Sequence, residues 1–254
     1  MPDAVSVEVA DGIGTITINR PEARNAVNEA VATGVAAAID DLDSRPGVTA
    51  LVFTGAGGTF SAGMDLKGFL AGENPLAGGR GFGGITHRPP TKPIVAAVEG
   101  YALAGGCELA LSCDLVVAAD TAKFGLPEVK RGLVAAAGGL LRLPRRIPYQ
   151  VAMELALTGE FLDAPRGYHF GLVNRLTAAG GALAGARELA AAVAANGPLA
   201  VRATKSVIAG AAGWPAGEFW DRQRAIVEPV FTSDDAREGA LAFAEKRPPR
   251  WAGR

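Results

Sequence analysis

Apolar and polar positions alternate in short blocks over the first half of the chain. Alternation over 5–10 and 14–19 predicts two strands, and the Asp11-Gly12 pair between them predicts the turn of a β-hairpin. A continuous apolar run at 48–54 predicts a third strand, and two more at 94–98 and 115–119 predict buried strands. The first half of the chain is therefore expected to contribute most of a sheet.

Helical patterns separate these strands and then dominate the rest of the chain. Helices are predicted at about 28–43, 65–70 and 105–113. Ser233 is a suitable N-cap for the last long helix. The order predicts an α/β core followed by a helical C-terminal third. The later helices are expected near 138–143, 148–158, 163–169, 181–196, 198–211, 216–230 and 234–246.

A loop rich in glycine and proline is predicted at 71–90, and loops of this length are usually functional lids or mobile segments. It contains the pattern GxGxxG at 79–84. A dinucleotide-binding glycine motif needs a strand before it and a helix after it, whereas Pro89 and Pro90 follow here. We interpret the pattern as part of the loop.

Composition and charge narrow the class of protein. Of the 254 residues, 49% are hydrophobic and 20% charged, which is typical of a folded chain and not of a disordered one. The formal net charge of -1 gives no electrostatic basis for binding nucleic acid or an anionic membrane, so neither is expected as a partner. Only two cysteines occur, and neither a signal peptide nor a transmembrane run is evident, so we expect a cytoplasmic protein.

Two segments place small residues where an apolar strand turns into a helix. They are FSAGMDLK at 60–67 and GYALAGGCELA at 100–110. The first amides of a helix lack partners within the helix and lie at the positive end of its dipole. Two such amides from separate segments would form an oxyanion hole if they converged on one oxygen.

Glu108 and Glu128 are the candidate acid–base residues. Glu108 falls in the first turn of an otherwise apolar helix, where burial is expected to raise the pKa of the carboxyl and the helix N-terminus to offset part of that effect. A helix leading away by about 12 Å and a strand returning by about 17 Å bring Glu128 back to the level of Glu108. Two carboxylates beside polarising amides can add or remove water, or move a proton, next to a carbonyl. Spacing alone also fits a helix-dipole partner at 108 and an exposed loop residue at 128.

At these residues the sequence resembles the crotonase (enoyl-CoA hydratase/isomerase) superfamily, over nearly the whole chain. Several motifs in the family's order carry the resemblance, and none decides it alone. They are INRPEARNA at 18–26, FSAGMDLK at 60–67, KPIVAAVEGYALAGGCELALSCDLVVAAD at 92–120, KFGLPEVKRGL at 123–133, MELALTGE at 153–160 and EGALAFAEKR at 238–247.

The resemblance implies a crotonase-like spiral of ββα units, with a catalytic core at 1–195 and a C-terminal helical trimerisation region at 196–254. Members usually form trimers or dimers of trimers and bind acyl-CoA thioesters, so a homo-oligomer is expected. CoA arrives as part of the substrate, and no other cofactor and no metal is implied. The amides of Met64 and Gly105 would hold the thioester oxygen. The residues implied along the CoA path are Ala23, Arg24, Ala62, Asp65, Leu66 and Lys67, with Lys246 reaching the CoA of a neighbouring subunit.

Glutamates at both positions resemble the hydratases of the family, which implies reversible hydration of a 2-enoyl-CoA to a 3-hydroxyacyl-CoA, a lyase reaction. The alternatives are an enoyl-CoA isomerase, a carnitinyl-CoA dehydratase-type enzyme, which SAGMDLK and LPEVKRGL resemble, and a non-catalytic member that binds acyl-CoA or RNA. A quaternary ammonium substrate would favour aromatic or acidic neighbours, for which Phe69, Phe82 and Glu73 are candidates.

Two departures from the family pattern bear on activity. The usual GGG turn is Ala104-Gly105-Gly106 here, and the usual PGAGG segment reads AAAGG at 135–139. The second segment lies next to the water site in hydratases. Its extra methyl groups are therefore expected to reshape or narrow that site.

Overall fold

The computed structural model describes residues 3–254. Strands alternate with helices up to Thr177, and helices alone follow. The strands are β1 Val5–Ala10, β2 Ile13–Ile18, β3 Ala50–Gly55, β4 Ile94–Val98, β5 Tyr101–Leu103, β6 Leu115–Ala119, β7 Lys123–Gly125, β8 Leu162–Asp163 and β9 Arg175–Thr177. The α-helices are α1 Glu29–Ser44, α2 Leu66–Leu70, α3 Gly105–Ser112, α4 Gly139–Arg142, α5 Tyr149–Thr158, α6 Ala164–Phe170, α7 Ala182–Ala194, α8 Pro198–Ala211, α9 Phe219–Phe231 and α10 Asp234–Glu245.

The main sheet has six strands in the order β1-β2-β3-β4-β6-β9. The hairpin predicted from the Asp11-Gly12 turn is confirmed, since β1 and β2 pair antiparallel with Ala10 opposite Ile13. The other neighbours run parallel. Parallel strands need a crossover connection, and their carboxyl ends lie at one edge of the sheet. Ligands bind beyond that edge in open α/β sheets.

Both faces of this sheet are covered, which explains the continuous apolar runs in its strands. One face, including Phe53 of β3 and Ala96 of β4, joins the large core that contains α1 and α3. The opposite face, including Val52 and Val95, packs against the small residues of α7. Strands buried on both faces show no alternation of apolar and polar positions.

A second sheet of three short strands, ordered β5-β7-β8, stands at the carboxyl end of the first. The sequence did not predict it. Its strands are two or three residues long, below the length at which periodicity can be seen. β5 follows β4 directly and leads into α3, so this small sheet fixes where the helix carrying Glu108 begins.

The glycine-rich segment 71–90, where the sequence predicts a functional lid or a mobile loop, contains local structure. Leu76 and Phe82 form an antiparallel bridge around a 3-10 turn at Gly78–Arg80. Arg80 is buried, and its guanidinium donates to Asp40 Oδ1 and to the carbonyl of Arg88. Residues 80–86 are all buried. The absence of a strand before this segment agrees with our interpretation of the GxGxxG pattern as a loop.

The C-terminal helices follow α7, and α8 contacts the core where Lys205 pairs with Asp114 at 2.6 Å. The helix predicted at 216–230 is a 3-10 turn at Ala216–Glu218 followed by α9. The last residues of the chain pack against α7 and α10. Trp251 Nε1 donates to the carbonyl of Ala195, and Asp235 accepts the amides of residues 252 and 253. The division at 195 and 196 stays a prediction. Over residues 3–254, the helices are all too short or too polar to cross a membrane.

Candidate active site

A cavity of about 770 Å³ opens beyond the carboxyl ends of β4 and β5. Its wall is mostly apolar and includes Phe69, Phe82 and Val134. Met64, Gly105, Glu108 and Glu128 all line it, together with Ala62, Leu66 and Arg24. Concave, mainly apolar cavities with a few convergent polar groups are typical ligand sites. The structure thus brings both candidate carboxylates and both candidate amide donors to one space.

Hydrogen bonds between two segments place Met64 beside Gly105. Segment 61–64 runs next to β5, where the Ser61 amide donates to Tyr101 and the Ser61 carbonyl accepts from Leu103. On its other side, Met64 forms a parallel bridge with Val27. In that bridge the Val27 carbonyl accepts from the following residue, Asp65, so the Met64 amide faces away from it. Within residues 3–254, neither the Met64 amide nor the Gly105 amide donates a hydrogen bond.

Gly63 allows this close approach. Its φ is +95°, and a Cβ built there would lie 2.9 Å from the Ala104 Cβ and 3.0 Å from the Gly105 nitrogen. On the other side of the turn, the edge of the Phe82 ring packs against Gly105, where an added Cβ would lie 2.5 Å from it. Neighbouring atoms therefore leave no room for a side chain at either glycine, 63 or 105.

Ala104 precedes Gly105 in a conformation that favours glycine, with φ 50° and ψ -128°. This is the position at which the family usually has glycine. A non-glycine residue in such a region costs about 1–3 kcal/mol. The strained residue, Ala104, orients the amide of the next residue, Gly105, toward the cavity.

We therefore expect Ala104→Gly to stabilise the fold. Relief of strain exceeds the added entropy of the unfolded chain, so the net gain is about 1 kcal/mol and the Tm rises by about 2–4 °C. Thermal and urea unfolding measure the change. A lower Tm than wild type would show that the Ala104 backbone is not strained.

Glu108 is buried in the first turn of α3, with 3% of its surface exposed. Its Oε1 accepts the amide of Ala137 at 2.7 Å and that of Gly139 at 2.9 Å. Burial raises the pKa of this carboxyl above its usual value, while those two hydrogen bonds and the charge of Arg142 oppose the rise. Glu108 is thus held in one orientation with its other oxygen free of these contacts.

Glu128 lies in a 3-10 turn, Pro127–Arg131, that follows β7. Burial raises the pKa of its carboxyl, its own backbone amide lowers it, and the charge of Glu108 raises it further. Its Oε2 is buried and has no hydrogen-bond partner within residues 3–254. A buried carboxylate oxygen without a partner is costly, and a substrate or a water molecule placed in the cavity would satisfy it.

The other predicted site residues divide into two groups. Ala62, Leu66 and Arg24 line the cavity, and the Arg24 carbonyl accepts the amide of Ala62. Ala23, Asp65, Lys67 and Lys246 do not line it. Lys246 directly follows α10 and is exposed. The binding roles of all these residues stay predictions.

Asp65 has a structural role that the sequence analysis did not anticipate. Its carboxylate caps α2 by accepting the amides of Lys67 and Gly68, and Arg20 pairs with it at 2.9 Å. These hydrogen bonds keep the pKa of the carboxyl below its usual range against the opposing effect of burial. Asp65 therefore fixes the helix that carries Leu66 and does not point its charge at the cavity.

The sequence analysis placed segment 135–139 beside the site through its methyl groups, but it assigned no role to the backbone of that segment or to residues 130, 131 and 142. Ala137 and Gly139 donate their backbone amides to Glu108, and the residue type does not show that a backbone amide has such a role. Arg142 holds that same turn from behind. Lys130 and Arg131 bring positive charge to the cavity. The run of residues around Glu128 contained these two cations, but only the tertiary fold shows that they face the same space.

The alanines at 135–137 do not close the site. Ala136 and Ala137 contribute to the cavity wall, and the space remains about 770 Å³. The backbone of the segment matters more than its methyl groups, because it donates the amide of Ala137 to Glu108. The narrowing expected from the sequence therefore does not block the cavity.

Comparisons with known proteins agree with this fold and site. The model of the enoyl-CoA hydratase/isomerase family matches residues 8–254. The chain is 42% identical to the enoyl-CoA hydratase EchA19 of Mycobacterium tuberculosis, over 100% of this chain and 97% of that one. It is 40% identical to the carnitinyl-CoA dehydratase of Escherichia coli, over 94% of each. The crystal structure of an enoyl-CoA hydratase from Mycobacterium tuberculosis superposes with a TM-score of 0.97 at 59% identity, covering 99% of this chain and 100% of that one.

A mixed α/β core, a helical C-terminal region and a cavity that gathers two carboxylates and two free amides define a crotonase-type protein. The chain belongs to the enoyl-CoA hydratase/isomerase family. The family and the crotonase-like fold predicted from the sequence motifs are both confirmed.

Proposed function

We propose that the protein catalyses the reversible hydration of a 2-enoyl-CoA to a 3-hydroxyacyl-CoA. One observation carries the proposal: two carboxyl groups, Glu108 and Glu128, face the same cavity as the free amides of Met64 and Gly105. Relatives at 37–59% identity named enoyl-CoA hydratase support it. The enzyme would then be a hydro-lyase.

The two amides would polarise the thioester. With the thioester oxygen between the amides of Met64 and Gly105, negative charge developing on that oxygen during attack would be stabilised by donors already in place. Removing one such donor typically costs about 10²–10³ in kcat. The apolar wall strengthens the effect, because electrostatic interactions are stronger where water is excluded.

The two glutamates would add the elements of water across the double bond, with the hydroxyl group going to Cβ and a proton going to Cα. One carboxylate accepts a proton from water as the hydroxyl oxygen bonds to Cβ, and the other carboxyl donates its proton to Cα. The reaction thus needs one ionised and one protonated group. Burial raises both pKa values and the charge of Glu108 raises that of Glu128, which favours a shared proton. Such a pair titrates together, so acid and base are not assigned separately.

The proposed chemistry needs no metal and no redox cofactor. CoA arrives as part of the substrate. Arg24, Lys130 and Arg131 would offer positive charge to the CoA phosphates. Lys67 and Ala23 would assist from outside the cavity, as the family pattern implies. We place the protein in the cytoplasm, with an acyl-CoA thioester as its partner.

We also propose a homo-oligomer, a trimer or a hexamer. α8 and α9 expose large apolar side chains, among them Ile208 at 73%, Trp220 at 75% and Phe231 at 79%. Exposed apolar faces of this kind mark interaction sites. A covered face would also bring Lys246 toward a neighbouring CoA. Light scattering coupled to size exclusion tests this, and a monomer at micromolar concentration would contradict it.

A carnitinyl-CoA dehydratase-type reaction is the second candidate, supported by relatives of that name at 40% identity. Phe69 and Phe82 line the cavity and are suited to a quaternary ammonium group, but Glu73 lies outside it. An enoyl-CoA isomerase is the third candidate.

Loss of the crotonyl-CoA absorbance on adding the purified protein tests the proposal. We expect rapid loss and formation of 3-hydroxybutyryl-CoA. Product analysis with a 3-enoyl-CoA distinguishes an isomerase, and carnitinyl-CoA distinguishes the second candidate. Binding of acyl-CoA with no turnover of any of the three would overturn the proposal in favour of a non-catalytic member.

A further inference from the structure

Arg142, the last residue of α4, lies directly behind the turn that holds Glu108. Its Nη1 donates to the Ala137 carbonyl at 3.3 Å and its Nη2 donates to the Thr86 carbonyl at 2.5 Å. The guanidinium also lies against Gly138, since a Cβ on that glycine would overlap Nη1. One side chain thus joins two segments of the cavity wall.

The turn held in this way is the one that positions Glu108. Ala137 and Gly139 donate the two amides that bind Oε1, and Arg142 contacts the carbonyl of the first and the glycine between them. Through Thr86 the same guanidinium ties the turn to the segment that carries Phe82, which packs against Gly105. The carboxylate and one amide donor are therefore connected through Arg142.

Few charges act on the Glu108 carboxyl. Arg142 is the cation that favours its ionised form, and Glu128 is the anion across the cavity. Cys107 is next to it on α3, but burial raises the pKa of that thiol to about 12, so it is uncharged. Arg146, one turn beyond Arg142, donates instead to the carbonyl of Cys113, which follows the C-terminal end of α3.

We propose that Arg142 is a positioning residue for Glu108, which holds the 137–139 turn against the carboxylate and places a positive charge behind that turn. The proposal rests on the proposed hydration reaction. It adds a residue that contacts neither substrate nor reacting atoms.

Removing the Arg142 charge is expected to change the pKa of Glu108 in one direction. Burial raises the pKa of Glu108 and the Arg142 charge opposes that rise, so removing the charge moves the pKa higher still. The glutamate pair titrates together, so the acid limb of the kcat/KM profile moves to higher pH whichever residue is the base. A merely structural loss would lower activity at every pH without moving the limb.

The test compares Arg142→Gln, Arg142→Lys and the control Arg146→Gln in the full chain. We expect Arg142→Gln to lose about 10–100-fold in kcat, as typically follows loss of a supporting contact behind a reacting group, and to shift the acid limb upward. Arg142→Lys should leave the limb in place yet lose part of kcat, because its single ammonium group lacks the two separate nitrogens with which the planar guanidinium binds the two carbonyls. Arg146→Gln should lower Tm alone.

A second measurement separates this proposal from the hydration reaction itself. Carbon-13 NMR of glutamate-labelled protein, assigned with Glu108→Gln, follows the Glu108 titration without substrate. An upward shift in Arg142→Gln supports the proposal even if crotonyl-CoA is not turned over. An unmoved Glu108 titration in Arg142→Gln would overturn it, as would full kcat in Arg142→Lys if Arg142→Gln does not fold.

Discussion

Glu108→Gln is expected to lower kcat for hydration of crotonyl-CoA by about a thousandfold or more. The glutamine can still accept the amides of Ala137 and Gly139 through its side-chain oxygen, so the turn should persist. It cannot exchange a proton, and proton transfer by a positioned side chain contributes about 10²–10⁴-fold. The measurement is the initial rate of absorbance loss at saturating substrate, with KM determined separately.

Glu128→Gln is the partner experiment, and Glu154→Gln on the exposed side of α5 is the matched control. We expect the first to lose activity to a similar extent and the second to behave as wild type. Because the two glutamates act as a unit, the double variant should be little worse than either single one. Unchanged turnover in Glu108→Gln would exclude this residue from the reaction.

Stability provides an independent check on Glu108. Its pKa is raised in the folded protein above the ordinary value of 4.5, so it favours folding at low pH and that contribution is lost as pH rises through the folded pKa. Glutamine has no such dependence. The Tm of wild type relative to Glu108→Gln should therefore fall as the pH rises above the ordinary value of 4.5. A constant difference would mean that the carboxyl titrates normally.

Gly63→Ala is expected to cost about 10²–10³ in kcat, because the new methyl group would separate the two amide donors. The Cβ would lie 2.9 Å from the Leu103 carbonyl oxygen and 3.0 Å from the Gly105 nitrogen, and the φ of +95° disfavours alanine. The backbone strain alone is about 1–3 kcal/mol. Steady-state kinetics and thermal unfolding measure the two effects separately.

Gly72→Ala is the matched control for this change. Gly72 also has a positive φ, 85°, yet no heavy atom lies within 4 Å of a built Cβ. It should lose stability from backbone strain and keep its kcat. Equal kcat in the two variants would show that the spacing of the Met64 and Gly105 amides is not important for the reaction.

Much of the fold is visible in local patterns. The Asp11-Gly12 turn predicts the hairpin, and the apolar runs at β4 and β6 predict buried strands, because each signal lies within a few residues. The small sheet of β5, β7 and β8 is different. Its strands are too short to show a period, and they form only because α3 and the long connections bring them together.

The candidate site divides in the same way. The Glu108 and Glu128 side chains can be recognised in the sequence, since their residue type and spacing are chemical information. The amides of Ala137 and Gly139 cannot, because every residue other than proline has an amide and only its direction matters. The sequence does not show that Arg80 in segment 71–90 is buried and pairs with Asp40, 40 residues earlier, because that contact depends on the tertiary fold.

The sequence by itself determined the family, the order of strands and helices and the two carboxylates. These depend on residue type and on spacing along the chain. Only the tertiary structure decided that the free amides of Met64 and Gly105 meet at one cavity and that Arg142 lies behind Glu108. Those relations join segments far apart in sequence through backbone direction and burial, which no local pattern encodes.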